Sequence, residues 1–321
     1  MSVRTLPDPR RAMPHVAPFV HRTPLLTSRI LSEETGLDVR LKAEMLQRTG
    51  AYKIRGALAK LAALSEEERA RGVVCSSAGN HAQGVALAAA MLGVRAVVVM
   101  AENATPSKIA ATKGYGADVV LHGTIWDEAD ARARELVESE HLTYVHPFDD
   151  LDLIAGQGTI GLELHEQWPE LEVVVVPIGG GGLISGVAVA LKQASPAVRV
   201  VGVESSGGPA MKRSVERGEL VTLDRVDTVV DGLRVRRVGE RTFEIVRELV
   251  DELVEVPDEA IAANVLWVMS RCKLVVEGAA AATVAALREG RIAAPPGTRV
   301  VCILSGGNLD LSQLQGRLRL N

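Results

Sequence analysis

The chain has 321 residues, enough at roughly 150 residues per domain for two domains or one large α/β unit. Apolar residues make up 47% and charged residues 24%, which excludes disordered and fibrous classes. A net charge of -4 with interspersed signs gives no basic stripe for nucleic acid.

The N-terminal run MSVRTLPDPRRAMPHV holds three prolines and no apolar core, so it is not a secretory signal. Strands are predicted at Asp38 to Lys42, Gly72 to Ser76, Ala96 to Met100 and Asp118 to Leu121, then at Glu172 to Pro177, Arg199 to Glu204, Glu252 to Val256 and Arg299 to Leu304. Helical spacing fills Tyr52 to Leu64, His81 to Leu92, Thr124 to Glu140, Leu183 to Gln193 and Ala260 to Met269. This alternation predicts an α/β fold with parallel sheet covered by helices on both faces. Val173 to Leu191 runs nineteen residues without a charge, but a proline and five glycines inside it predict strand, loop and helix rather than a membrane span. Cys75, Cys272 and Cys302 stand far apart, which argues for a reducing compartment and against disulfides or a zinc site. A soluble cytoplasmic protein is expected.

Ligands of such sheets bind beyond the carboxyl ends of the strands, and four of those loops are chemically unusual. In PIGGGGLISG a valine strand meets Gly179, Gly180, Gly181 and Gly182 and then a helix from about Leu183, an arrangement that offers bare backbone N–H groups to an anion. The lysine of a phosphate-binding P-loop is missing. Gly180, Gly182 and Gly186 with Glu204 on the next strand also permit a dinucleotide reading, that of an NAD-dependent oxidoreductase. In TGAYKIRGA, Thr49 is the expected N-cap, so Lys53 falls in a first helical turn, where the dipole and Arg55 would lower its pKa, as a Schiff-base lysine requires. CSSAGNHAQG puts Ser76, Ser77, Ala78, Asn80 and His81 at a helix start suited to a carboxylate, with His81 read as a hydrogen-bonded core histidine rather than a base. LSGGN sets Ser305 at a buried strand mouth, with Gly306 and Gly307 clearing space beside it.

Together these loops resemble the pyridoxal-phosphate (PLP) enzymes of fold type II, the tryptophan-synthase β-subunit fold, and within them the serine/threonine dehydratase and serine racemase group. The resemblance is closest to short catabolic threonine dehydratases and runs from HRTPLL through KAEMLQRTGAYKIRGA, SSAGNHAQG, GQGTIGLEL, PIGGGGLISG, TFEIVRELVDELV and VVEGAAAA to LSGGNLDLS. It implies two domains with mostly parallel sheets: a large one from residues 1–70 and 148–321, and a small one, 71–147, that contributes the carboxylate loop. It implies that Lys53 holds PLP as a Schiff base and acts as catalytic base, that Gly179 to Gly182 and Leu183 bind its phosphate, and that Ser305 faces the pyridine nitrogen. Tyr52 would lie beside the ring, Asn80 would reach the ring hydroxyl, and Glu277 would sit near the cofactor or the β-substituent. Ser77, Ala78, Asn80 and His81 would grip the substrate carboxylate. A neutral Ser305 at the nitrogen favours prompt β-elimination.

The implied activity is dehydration and deamination of a small 3-hydroxy amino acid, L-threonine or L-serine first, to a 2-oxo acid and ammonia. Dehydration of 3-hydroxyaspartate, phenylserine or a similar substrate, and serine racemase-like chemistry, are the alternatives. Several positions depart from the family pattern. Ala51 stands in place of a serine, Ala78 in place of the second serine of racemases, Ala210 in place of an acidic metal ligand, and Cys272 where histidine is common. No metal is therefore expected. The chain ends soon after LSGGNLDLS, where a biosynthetic relative would continue into a regulatory domain. A homodimer is implied as well.

Overall fold

The computed structural model describes residues 6–309. Ten strands appear in it: β1 Leu25–Thr27, β2 Asp38–Ala43, β3 Val73–Ser76, β4 Ala96–Met100, β5 Asp118–Leu121, β6 Thr143–Tyr144, β7 Val173–Pro177, β8 Arg199–Ser205, β9 Glu252–Val256 and β10 Arg299–Leu304. They form a six-stranded sheet in the order β1-β2-β10-β7-β8-β9 and a four-stranded sheet in the order β5-β4-β3-β6. Every pairing is parallel except β1 with β2. Helices cover both faces, so the central strands read as unbroken apolar runs: β4 is AVVVM and β7 is VVVVP, and every residue of both is buried.

All eight predicted strands are present, with ends shifted by a residue at some positions. Two strands were not foreseen. β1 is a three-residue edge strand and β6 only two residues long, too short to carry a two-residue alternation. The apolar stretch from Val173 resolves into β7, a loop and the helix Gly182–Ala194. Among the described residues no helix is long and apolar enough to cross a membrane. The last helix predicted, Ala260 to Met269, is α-helical only to Trp267 and then widens into a π-turn over Val268–Cys272. The closing residues of LSGGNLDLS, Asp310 to Ser312, lie outside the described residues.

The register brings the unusual loops together. Leu304 pairs with Ala43, and two residues earlier Cys302 pairs with Val175, so β2, β10 and β7 end at one rim of the larger sheet. The loops after them carry Lys53, Ser305 and the four glycines. The chain leaves this rim through the helix Lys53–Ala62, builds the whole smaller sheet between Val73 and Tyr144, and returns along Val145 to Asp150.

Candidate active site

Lys53 is the first residue of its helix. The expected N-cap is corrected here: the cap position is Tyr52, which makes no side-chain cap, and the Thr49 hydroxyl turns instead to the Ala51 carbonyl at 3.4 Å. What fixes the helix start is a clasp with the loop after β10. The Tyr52 amide donates to the Ser305 carbonyl at 3.1 Å, Gly307 donates to the Gly50 carbonyl at 2.8 Å, and Ala51 bridges Gly306. Lys53 Nζ donates to the Pro147 carbonyl at 2.6 Å. Burial lowers its pKa to about 8, and Glu277 partly offsets the shift. Burial, with Glu277 adding to it, pushes the Tyr52 phenol well above its usual value, so it remains a neutral hydroxyl.

Arg55 does not lower the Lys53 pKa as the sequence suggested, because its charge is neutralised where it lies. The guanidinium is fully buried and donates to Glu44 (2.9 Å from Nε) and to Glu163 (2.7 Å from Nη1). Lys42, also fully buried, reaches the same Glu163 at 2.5 Å. Two cations and two carboxylates thus form a closed cluster beneath the lysine helix. It joins β2, the helix Lys53–Ala62 and the helix Leu151–Gln167.

At the glycine loop, the amides of residues 179 to 183 donate to no protein acceptor among the described residues, and the N-cap Gly181 supplies no side chain. The absence of side chains is a packing requirement of the protein itself. A Cβ on Gly179 would strike the Gly232 carbonyl, one on Gly180 the Phe148 ring, and one on Gly182 the Phe148 carbonyl at 2.9 Å. Gly181 has φ +95° and would press on Met211 and Thr242. The loop is therefore held by protein on its side-chain faces while its N–H groups stay free, at the positive end of a thirteen-residue helix.

The loop after β3 supplies the smaller sheet's part. The helix Asn80–Leu92 begins here, capped at Gly79. Ser77 Oγ accepts from the Gly79 amide at 3.2 Å, and Ala78 beside it carries no hydroxyl. Asn80 Nδ2 donates to both Glu277 oxygens (2.8 and 3.0 Å), and Asn80 Oδ1 accepts from Asn308 Nδ2 at 2.8 Å. Asn80 thereby ties the smaller sheet to the loops around β10. Burial raises the Glu277 pKa, and the Asn80 bond partly offsets this. His81 is a buried core histidine: Nε2 sits 3.0 Å from the Val145 carbonyl, which can only accept, so Nε2 carries the proton and Nδ1 is bare. Burial above all, with Lys53 next, drives its pKa down to about 3. Ser305 is buried, and its hydroxyl makes no hydrogen bond to any described protein group.

The dinucleotide reading loses its acid. Glu204 Oε1 and Oε2 accept from the amides of Met211 and Lys212 at 2.9 and 2.8 Å, so this carboxylate caps the helix Ala210–Arg217 instead of facing the glycine loop. Ala210 opens that helix, and among the described residues no three His, Cys, Asp or Glu side chains cluster to hold a metal. Sequence reasoning did not single out Pro147, Phe148 or Asp149, and it met Thr242 only as the first residue of TFEIVRELVDELV, with no role of its own. Nothing in PFDD or in one threonine of an amphipathic helix marks them locally.

A parallel α/β fold that brings to one sheet rim a lysine amine of lowered pKa and, among the described residues, amides without an acceptor at a helix N-terminus and a serine hydroxyl without a partner suits a cofactor-dependent enzyme. The family model for pyridoxal-phosphate dependent enzymes matches residues 16–306, and the chain belongs to that family. It is 49% identical over 310 residues to an L-threonine ammonia-lyase of Thermotoga maritima, covering 97% of this chain and 77% of that one. Identity is 46% over 304 residues to the catabolic L-threonine dehydratase TdcB of Escherichia coli K12, covering 94% and 92%. Among solved structures, a T.th. threonine deaminase superposes with a TM-score of 0.88 at 44% identity, covering 94% and 98%. Maize serine racemase gives a TM-score of 0.93 at 36% identity, covering 97% and 96%. The residues present fit PLP: free amides and a helix dipole suit its phosphate, and a buried amine of pKa about 8 suits its aldehyde.

Proposed function

We propose that the protein is a PLP-dependent ammonia-lyase that converts L-threonine, and L-serine alongside it, to a 2-oxo acid and ammonia. The observation that carries this reading is the Lys53 amine, buried, lowered in pKa to about 8 and fixed on the Pro147 carbonyl. The names of the 46% and 49% identical relatives support the substrate.

When bound, PLP supplies the carbonyl carbon that takes up the substrate amine and the conjugated ring that spreads charge from the α-carbon. The free amides of Gly179 to Gly182 and Leu183 bind the phosphate. Ser305 offers a neutral hydroxyl to the ring nitrogen, Tyr52 flanks the ring, and Asn80 serves the ring hydroxyl by giving up one of its two Nδ2 bonds to Glu277. The loop from Ser77 to His81 grips the substrate carboxylate; His81 takes part through its amide, because its ring is engaged with Val145. Lys53, released as a free amine, takes the α-proton. Glu277, kept prone to hold a proton by burial, is the nearby acid that can assist the leaving β-hydroxyl. Ala78 provides no hydroxyl for the opposite face, which favours elimination over racemisation. Residues 71–147 would form a small domain inserted in a large one of residues 1–70 and 148–321. The family resemblance supports a homodimer, and three widely spaced cysteines support a reducing, cytoplasmic setting.

The test is direct. Purified protein is expected to be yellow and to release 2-oxobutyrate from threonine, with far less turnover of 3-hydroxyaspartate or phenylserine and little D-serine from L-serine. Lys53→Ala should be colourless and inactive, and full activity in that variant would refute the assignment.

A further inference from the structure

The glycine loop is held from behind by a relay of hydrogen bonds. Thr242, fully buried, has two carbonyls within reach of Oγ1, Gly180 at 2.7 Å and Gly239 at 3.1 Å, and its one proton goes to the nearer, that of Gly180. In a trans peptide the carbonyl and the following N–H point in opposite directions. Holding the Gly180 oxygen toward Thr242 therefore turns the Gly181 amide away from it, and that amide has no protein acceptor among the described residues. Gly181 closes against the same residue, since its Cβ position lies 2.8 Å from Thr242 Cβ. Thr242 belongs to the first turn of the helix Glu240–Leu249, and that turn is fixed by one carboxylate. Asp149 Oδ1 accepts from the amides of Arg241 and Thr242 at 3.0 and 3.1 Å, and Oδ2 accepts from Glu240 at 3.2 Å. Asp149 is two residues beyond Pro147, the acceptor of Lys53, and follows Phe148, which fills the space at Gly180 and Gly182.

We propose that Thr242 and Asp149 are positioning residues for cofactor phosphate recognition: Asp149 sets the helix turn, and the Thr242 hydroxyl orients the Gly180–Gly181 peptide so that its amide is presented to the phosphate. This rests on reading the glycine loop as the phosphate site. Misdirecting this one amide loses one hydrogen bond to the phosphate, which corresponds to roughly a three- to tenfold loss of affinity.

The experiment compares dissociation constants of PLP and of pyridoxal, which lacks the phosphate, for apoprotein prepared from the full chain. The ratio of the two isolates phosphate recognition from capture of the aldehyde by Lys53. Thr242→Val should shrink that ratio three- to tenfold by weakening PLP and not pyridoxal, and Thr242→Ser should restore it. Asp149→Asn, which keeps an acceptor for two of the three amides, should shrink it about twofold and provides the reading if the valine variant does not fold. An unchanged ratio in the folded variants, or equal weakening of both ligands, overturns the proposal. A wild-type protein that binds both ligands equally, with no competition from inorganic phosphate, refutes instead the glycine loop as the phosphate site, and with it this proposal.

Discussion

Lys53 and Lys60 lie on one helix yet titrate in opposite directions. Burial lowers Lys53 to about 8, whereas Lys60 is raised: burial is the largest single effect and opposes the shift, but Asp150, a salt bridge at 2.7 Å, and Asp152 at 3.3 Å together outweigh it. A free amine reacts with acylating reagents and an ammonium does not. In cofactor-free protein, Lys53 should therefore be labelled with a midpoint near pH 8 and Lys60 only at clearly higher pH, as resolved by peptide mass spectrometry; coincident midpoints would contradict the burial argument. The buried cluster below makes a second residue-level prediction. Glu163→Gln leaves Lys42 and Arg55 short of a counter-charge in the interior and should cost about 3–5 kcal/mol in denaturant unfolding. Removing Glu33 from its exposed pair with Arg29 should cost less than ~0.5 kcal/mol.

The elements around the lysine meet through glycines. A Cβ on Gly84, in the helix Asn80–Leu92, would come within 3.0 Å of the Lys53–Ile54 backbone, and one on Gly156, in the helix Leu151–Gln167, would run into the Arg55 carbonyl and the Gly56 Cα. Backbone cannot rotate aside as a side chain can. Gly156→Ala should accordingly lower stability by about 1–3 kcal/mol, while Gly114→Ala, whose Cβ would meet nothing within 4 Å, should be neutral or slightly stabilising in the same melts. Such contacts also explain what the sequence left illegible at this scale. The strands of parallel sheets announce themselves as apolar runs, and GGGG, SAGNH and LSGGN are visible because their oddity is local. The helix Leu151–Gln167 is buried on nearly every side, so its apolar positions draw no single stripe. Asp149, Thr242 and Glu163 are common residue types whose roles exist only once segments far apart in the chain have met.

In the whole molecule, the helix Lys53–Ala62 packs on a helix from each sheet, and one apolar core runs from the smaller sheet's Val73, Cys75 and Val98 through Ile54 and Leu58 of this helix to Leu153 and Ala155. One cooperative transition is expected: Trp126, beside the smaller sheet, and Trp168, on the larger, should report the same midpoint in single-tryptophan variants, and two separated midpoints would refute it. Lys53 rides on the segment that leaves the larger sheet, and Pro147, which receives its proton donor, on the segment that comes back. Amine and acceptor are thus mounted on the two ends of one excursion of the chain. The lysine therefore gains this acceptor only once the whole excursion, 94 residues from Lys53 to Pro147, has folded and returned to the rim.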